Sequence, residues 1–549
     1  MRITISSNGN SGTCVHAVGC VALAVMGLVG SLVSAGSASA AVYTWSGSGT
    51  NALWNTGSNW VGNVAPVTGN DLLFNNSTRT TNTNNITGLN LGTITFGNSA
   101  GAFSISGSAI SLGSIVNSSN NDQALSLTVN QVTSGTYNAV TKDITLSGAF
   151  TGSGNVSKIG NGALVLSGNK SGYTGLIDVS AGTLELKTNG NLSGGSVKLA
   201  ANTTLKNTNA TSLKSLELAG TGITLPSGQF TFSSGTFSNT SGSDYAIGNT
   251  LAFTGTSTFA VGAGITLSGQ LNGNGASNVL TKTGTGTLEL LNSSNSYTGA
   301  FNLDAGTLKL DGGLTSAAVS AAAGTTITTS ATNNAFAVDS LVFAAGASAS
   351  SLTPGGVGEI GGFGSNTDIT LSSNTTVSFD IQGSGSGAGN PLSDYDQVVF
   401  AVGGSSGTLT YDGVVKLNFL GNNLFDNGTF FQLFEPNSGG TFAGDLAGID
   451  PTTGATSPYA GVTFANYAAA DNFAKSYFNL QPGDWISDWV TTDNGNQRFI
   501  FSQSNGTLTV VPEPSTIVFA GIGMAMFAWS TWTRRRALAR QRLIASSVA

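Results

Sequence analysis

In the stretch LSDYDQVVF, Asp394 and Asp396 stand two residues apart as the chain enters a strand. Positions two apart on a strand share a face, so the two carboxylates would present paired oxygens. Such a pair suits Ca2+, which takes oxygen ligands from loops, better than it suits the acid and base of a glycosidase. The plainer reading is a turn in which the aspartates accept backbone N–H bonds; repeated calcium-binding nonapeptides are absent from the sequence. Trp485 and Trp489 in GDWISDWV, with Trp45, Trp54 and Trp60 near the other end, have flat faces able to stack on sugar rings. Aromatics more often serve packing, and here they sit where end caps are expected. Lys158 and Lys282 recur at equivalent positions and read as a solvated face, Tyr173 and Tyr297 as corners. The run GSGSGAG has neither a following helix nor Lys-Ser/Thr, so it is no phosphate loop.

What is missing narrows the chemistry further. The two cysteines, Cys14 and Cys20, and the single histidine, His16, all lie in the first twenty residues. That segment reads as a secretory leader: the short apolar run VALAVMGLVGSLVSA is followed by Ala38-Ser39-Ala40, small residues that fit a signal peptidase, with cleavage after Ala40. Loss of residues 1–40 would leave no thiol and no imidazole. Zinc sites built on Cys or His, Cys nucleophiles, Ser-His-Asp triads and disulfides would then be excluded together. No cofactor is expected.

At the other end, residues 516–532 carry no charge and are just long enough to cross a hydrocarbon core as a helix. Arg534, Arg535 and Arg536 follow, with a basic tail at 537–549; the positive-inside rule keeps these cytoplasmic and places everything upstream outside. Pro512 and Pro514 bracket Glu513 and hold that stretch extended and open to a membrane protease.

Val-Pro-Glu-Pro, an apolar span and an arginine cluster, at 511–536, resemble the PEP-CTERM sorting domain. The resemblance implies an exosortase-type processing enzyme, transient membrane insertion through the C-terminal helix, a Gram-negative type of envelope and exopolysaccharide as a neighbour.

Without its ends the chain loses Arg2 and five tail arginines and becomes more acidic than its formal −7, which disfavours nucleic acid as a partner. Charged residues make up only 8% of it, far below the ordinary share of about 25%, so solubility rests on Asn, Ser and Thr.

Between the two ends, short alternating runs separated by Gly/Asn/Ser turns predict β structure with one buried face. Residues 158–186 align without gaps to 282–310: Gly160/Gly284, Gly162/Gly286, Gly175/Gly299 and Gly182/Gly306 match, as do Leu164/Leu288, Ile177/Phe301, Val179/Leu303 and Leu184/Leu308. These segments, with K-x-G-x-G-x-L-x-L, Y-T-G and A-G-T-L in both copies, resemble the autotransporter-associated β-strand repeat, also called the passenger-associated transport repeat. The resemblance implies a parallel β-solenoid. Physics agrees, because a rung cannot bury its own apolar strip but stacked rungs can.

The expected fold is therefore all-β: a parallel β-solenoid over 41–368 capped by the tryptophan-rich start, then a second β-rich region over 369–510. The second region is either a sandwich-like module or a wider end of the solenoid. The expected function is that of an exported, non-enzymatic structural or adhesive protein of the cell surface or exopolysaccharide matrix. The alternatives are a β-helix polysaccharide lyase or hydrolase, and a glycan-binding module.

Overall fold

A computed structural model describes residues 40–513 apart from 188–190, 208–209, 331–335, 384–392, 422–423, 438, 454–456 and 460. Ala38, Pro514, the span 516–532, Arg534, Arg535, Arg536 and the tail 537–549 lie outside the described residues.

From Ala41 onward the chain winds as a parallel β-solenoid with three faces. One face is built from two sheets of seven and nine strands, and the other two join into one 26-stranded sheet. They join because some strands turn the corner unbroken: Gln229–Asn239 pairs with both Thr250–Thr254 and Thr256–Val261. The inward positions stack in register. Val156 faces Ile177, Ile177 faces Val197, and Val197 faces Leu216, each about 20 residues on from the last. These side chains are fully buried, whereas the alternate positions face outward with Ser, Thr, Asn and a few charges.

Both edges of this ladder are covered, as a solenoid requires. At the start, residues 46–61 fold back over it: Val61 N donates to Thr44 O at 2.9 Å and Thr83 N to Ala52 O at 2.9 Å, closing the first strand of two faces. Trp45, Trp54 and Trp60 plug the core beneath. Their rings meet edge-on at 5.1 and 5.9 Å, and Trp60 Nε1 donates to Trp54 O at 2.8 Å.

The parallel ladder crosses residue 369 without interruption and runs on to Gly448–Thr453. Its coils lengthen sharply, however. Leu341 pairs with Ile369, Ile369 with Leu409, and Leu409 with Phe442, so successive coils hold 28, 40 and 33 residues. A six-stranded antiparallel sheet then closes the end, running Phe430–Gln432, Thr507–Pro512, Gly495–Ser502, Trp485–Ser487, Phe464–Asn466, with Val490–Thr492 also paired to Gly495–Ser502. Phe499 stacks on Phe419 at 5.0 Å, and Leu433 N donates to Gly506 O, so this sheet shares the main core. The region read as either solenoid or separate module contains both a widened ladder and an antiparallel cap.

Candidate functional site

The repeated lysines are not on a solvated face. Lys158 and Lys282 are wholly buried, on the same side of their strands as the core residues Val156 and Leu280. Lys158 Nζ donates to Ile159 O (3.1 Å), Gly160 O (2.8 Å) and, one coil later, Ala181 O (2.9 Å). Lys282 Nζ repeats this with Gly284 O (3.0 Å) and Ala305 O (2.7 Å). Each ammonium thus clips the turns of two successive coils by carbonyls that the ladder leaves over. Burial lowers both lysines to about 8. The turns demand glycine: Gly160 has φ +79° and Gly284 φ +78°, and a Cβ would meet the carbonyl oxygens of Ala139 and Val261 at 2.2 and 2.4 Å. Tyr173 and Tyr297 are buried at the next corner, donating to Leu176 O and Ala300 O, each at 3.1 Å. Both are corner residues, as read.

A second duplicated corner escaped the sequence reading. Asn117 and Asn239 are buried; their Nδ2 atoms donate to Asn121 O and Ser243 O, both at 2.9 Å, and their Oδ1 atoms accept Ser119 and Ser241 hydroxyls at 2.7 Å. Three residues beyond each serine, Asp122 and Asp244 accept the N–H of Asp143 and Gly264 in the following coil. The shared spacing Asn-x-Ser-x-x-Asp was the available signal, hidden because the intervening residues differ.

The lysine and tyrosine corners, unlike the asparagine ones, fall in segments with known kin. Residues 156–186 and 280–310 match the passenger-associated-transport-repeat. Both matched segments wind as consecutive coils of one parallel solenoid. No curated protein matches the chain.

Asp394 and Asp396 differ in exposure and in what they bind. Residues 380–383 and 394–396 form the base of an antiparallel hairpin, where Asp396 N donates to Asp380 O at 2.9 Å and Gln382 N to Asp394 O at 2.7 Å. Alternation breaks there: Asp396 is fully buried and Asp394 half-buried. Asp396 Oδ1 accepts Gly361 N at 2.7 Å and Oδ2 accepts Asp380 N at 2.8 Å. Both oxygens are therefore committed to amides rather than open to a cation. Burial pushes this carboxyl up to about 9, against the pull of its two N–H bonds. Asp380 beside it is also buried and accepts Gly358 N at 2.6 Å. Among the described residues no group of three or more His, Cys, Asp and Glu is placed to hold a metal.

Of the five tryptophans considered for sugar stacking, Trp45, Trp54 and Trp60 offer no face to solvent, and Trp485 is half-buried against the core. Trp489 is 37% exposed and belongs to an aromatic surface on the antiparallel cap. The short helix Asn472–Tyr477, N-capped by Asp471, carries Phe473 and Tyr477 one turn apart, exposed and stacked at 5.3 Å. Phe478 bridges Tyr477 (4.9 Å) to Trp489 (6.2 Å). The guanidinium of Arg498 lies 4.4 Å from the Trp489 ring centre, held by Nε donating to Ser487 O at 2.9 Å. This surface rests on a small core of its own, formed by Ala470, Ala474, Leu480 and Ile486.

The stretch read as a processing motif begins inside the cap. Pro512 and Val511 pair with Gln497 and Arg498, and Glu513 N donates to Asn496 O at 2.9 Å. The stretch is extended, as its prolines dictate, but it is held in the sheet up to Glu513.

Proposed function

We propose that this chain is an exported structural or adhesive protein of the cell surface or extracellular polysaccharide matrix, without catalytic activity. On this reading a signal peptidase removes residues 1–40, and an exosortase-type enzyme cuts near Pro512-Glu513-Pro514 while the apolar span 516–532 is inserted. The observation that carries the reading is the pair of passenger-associated repeats set in a solenoid capped at both edges. The buried side chains of Lys158, Lys282 and Asp396 each bind backbone groups of neighbouring turns. A parallel ladder with satisfied edges makes a stiff body whose Ser, Thr and Asn faces can hydrogen-bond glycans and neighbouring chains. The last described strand, Thr507–Pro512, leads directly into the motif, which fits the same reading.

Cell fractionation tests this reading: the protein should appear in the outer-surface or matrix fraction, and uncut protein in the cytoplasm would refute it. Incubation with a panel of polysaccharides tests the absence of catalysis, and chain cleavage lost in Asp396→Ala would overturn it.

A further inference from the structure

The aromatic surface of the cap and the exit of the chain toward its apolar segment lie at the same end of one sheet. Val490 pairs with Gln497, and Gln497 pairs with Pro512 on its other side. Trp489 is thus level with Val511 and two strands from it, about 10 Å away. Glu513 is hydrogen-bonded to the sheet, and the uncharged run starts at Thr516, three residues on. Three residues span at most about 10 Å. The headgroup layer is roughly 5–8 Å thick on each side of the hydrocarbon. Whenever the apolar run is inserted, the end of the cap is therefore held at headgroup level.

The chemistry presented there suits that layer. Phe473, Tyr477 and Trp489 are 44%, 48% and 37% exposed, and Trp and Tyr favour the membrane–water interface. Arg498 and Lys475 place cations over the Trp489 and Tyr467 rings. Asp471, Asp484, Asp488 and Asp493 nearby in the sequence outweigh these two cations, so the surface fits zwitterionic rather than anionic headgroups.

We propose that this aromatic surface is a membrane-contact site that seats the cap on a zwitterionic lipid surface while the C-terminal segment is inserted. The inference rests on the proposed insertion of residues 516–532 and adds to it the surface that fixes how the motif is presented to its protease.

The test uses the full chain with Cys14→Ser and Cys20→Ser, carrying Ser476→Cys labelled with an environment-sensitive dye, in phosphatidylcholine vesicles. A control carries the dye at Val132→Cys, exposed on the solenoid wall. Alkaline extraction reports separately whether the tail is inserted. With the tail inserted, the label at 476 should shift to the blue and brighten at least two-fold, the label at 132 should not change, and added phosphatidylglycerol should give no gain. Phe473→Ser with Tyr477→Ser and Trp489→Ser should abolish the shift and leave insertion intact. An inserted tail with identical signals at 476 and 132 would overturn the membrane contact alone, and would direct attention to a glycan on the same rings. A tail that does not insert would overturn both this inference and the reading beneath it.

Discussion

The two segments that match the passenger-associated repeat and the long coils that follow solve one problem with side chains of opposite hydrogen-bonding character. In the repeats, coils of about 20 residues turn so tightly that carbonyls are left over, and a buried lysine gathers them from two successive turns. In the coils of 28 to 40 residues beyond Leu341, inserted loops bring surplus N–H groups inward, and the buried carboxyl of Asp396 gathers those. Which side chain is buried follows from which half of the peptide group the winding leaves unpaired. Both groups suffer desolvation, which pushes each toward its neutral form, and the backbone bonds offset part of the cost.

The comparison breaks most readily at the lysines. Lys158→Met with Lys282→Met keeps length and volume but leaves the carbonyls unpaired, at a cost of about 2–4 kcal/mol for each site. Chemical denaturation should show a clear drop in midpoint, and an unchanged midpoint would mean that the clips are dispensable. Asp396→Ala strands two amide donors and should cost about 2–3 kcal/mol, with faster hydrogen exchange at Gly361 and Asp380. A similar loss of about 2 kcal/mol is expected for Gly160→Ala, from the left-handed backbone and the contact with Ala139 O.

Sharper discrimination comes from pH. The Asp396 carboxyl sits near 9 in the fold against an ordinary 3.8. Its contribution is complete below about 4 and is lost as pH rises to 9. The lysines sit near 8 against 10.5. Their desolvation cost is complete below 8 and is relieved as pH rises to 10.5. Stability should therefore decline through the first window and recover in the second. Asp396→Asn should flatten the decline and the double lysine variant the recovery. The smallest effect belongs to the exposed rings: Trp489→Ser should change stability by less than about 0.5 kcal/mol.

Much of this architecture was legible in the residues. Period-two runs, matched glycines and the gapless alignment of 158–186 with 282–310 pointed to stacked parallel coils, and the early tryptophans to a cap. The lysines were misread because charge was allowed to outrank parity. Lys158 follows Val156 by two and Lys282 follows Leu280 by two, so both had to point inward. Of the readings offered for the aspartates, Asp396 follows the plainer one and accepts backbone N–H groups, but its donors, Gly361 and Asp380, are distant in the chain and no local spacing encodes them. The aromatic surface was half-visible, in Trp489 alone. Phe473 and Tyr477 join it only because a six-residue helix sets them on one side. The extension of the ladder past residue 369 was hidden by loop insertions that destroy the repeat length while leaving the inward residues in register.

Intact-mass measurement of the protein recovered from the surface of the producing cell tests the central claim most directly. A solenoid delivered by two disposable ends predicts a chain that starts at Ala41 and stops within residues 512–514. A surface form that still carries residues 516–549, or that begins at Met1, would contradict it.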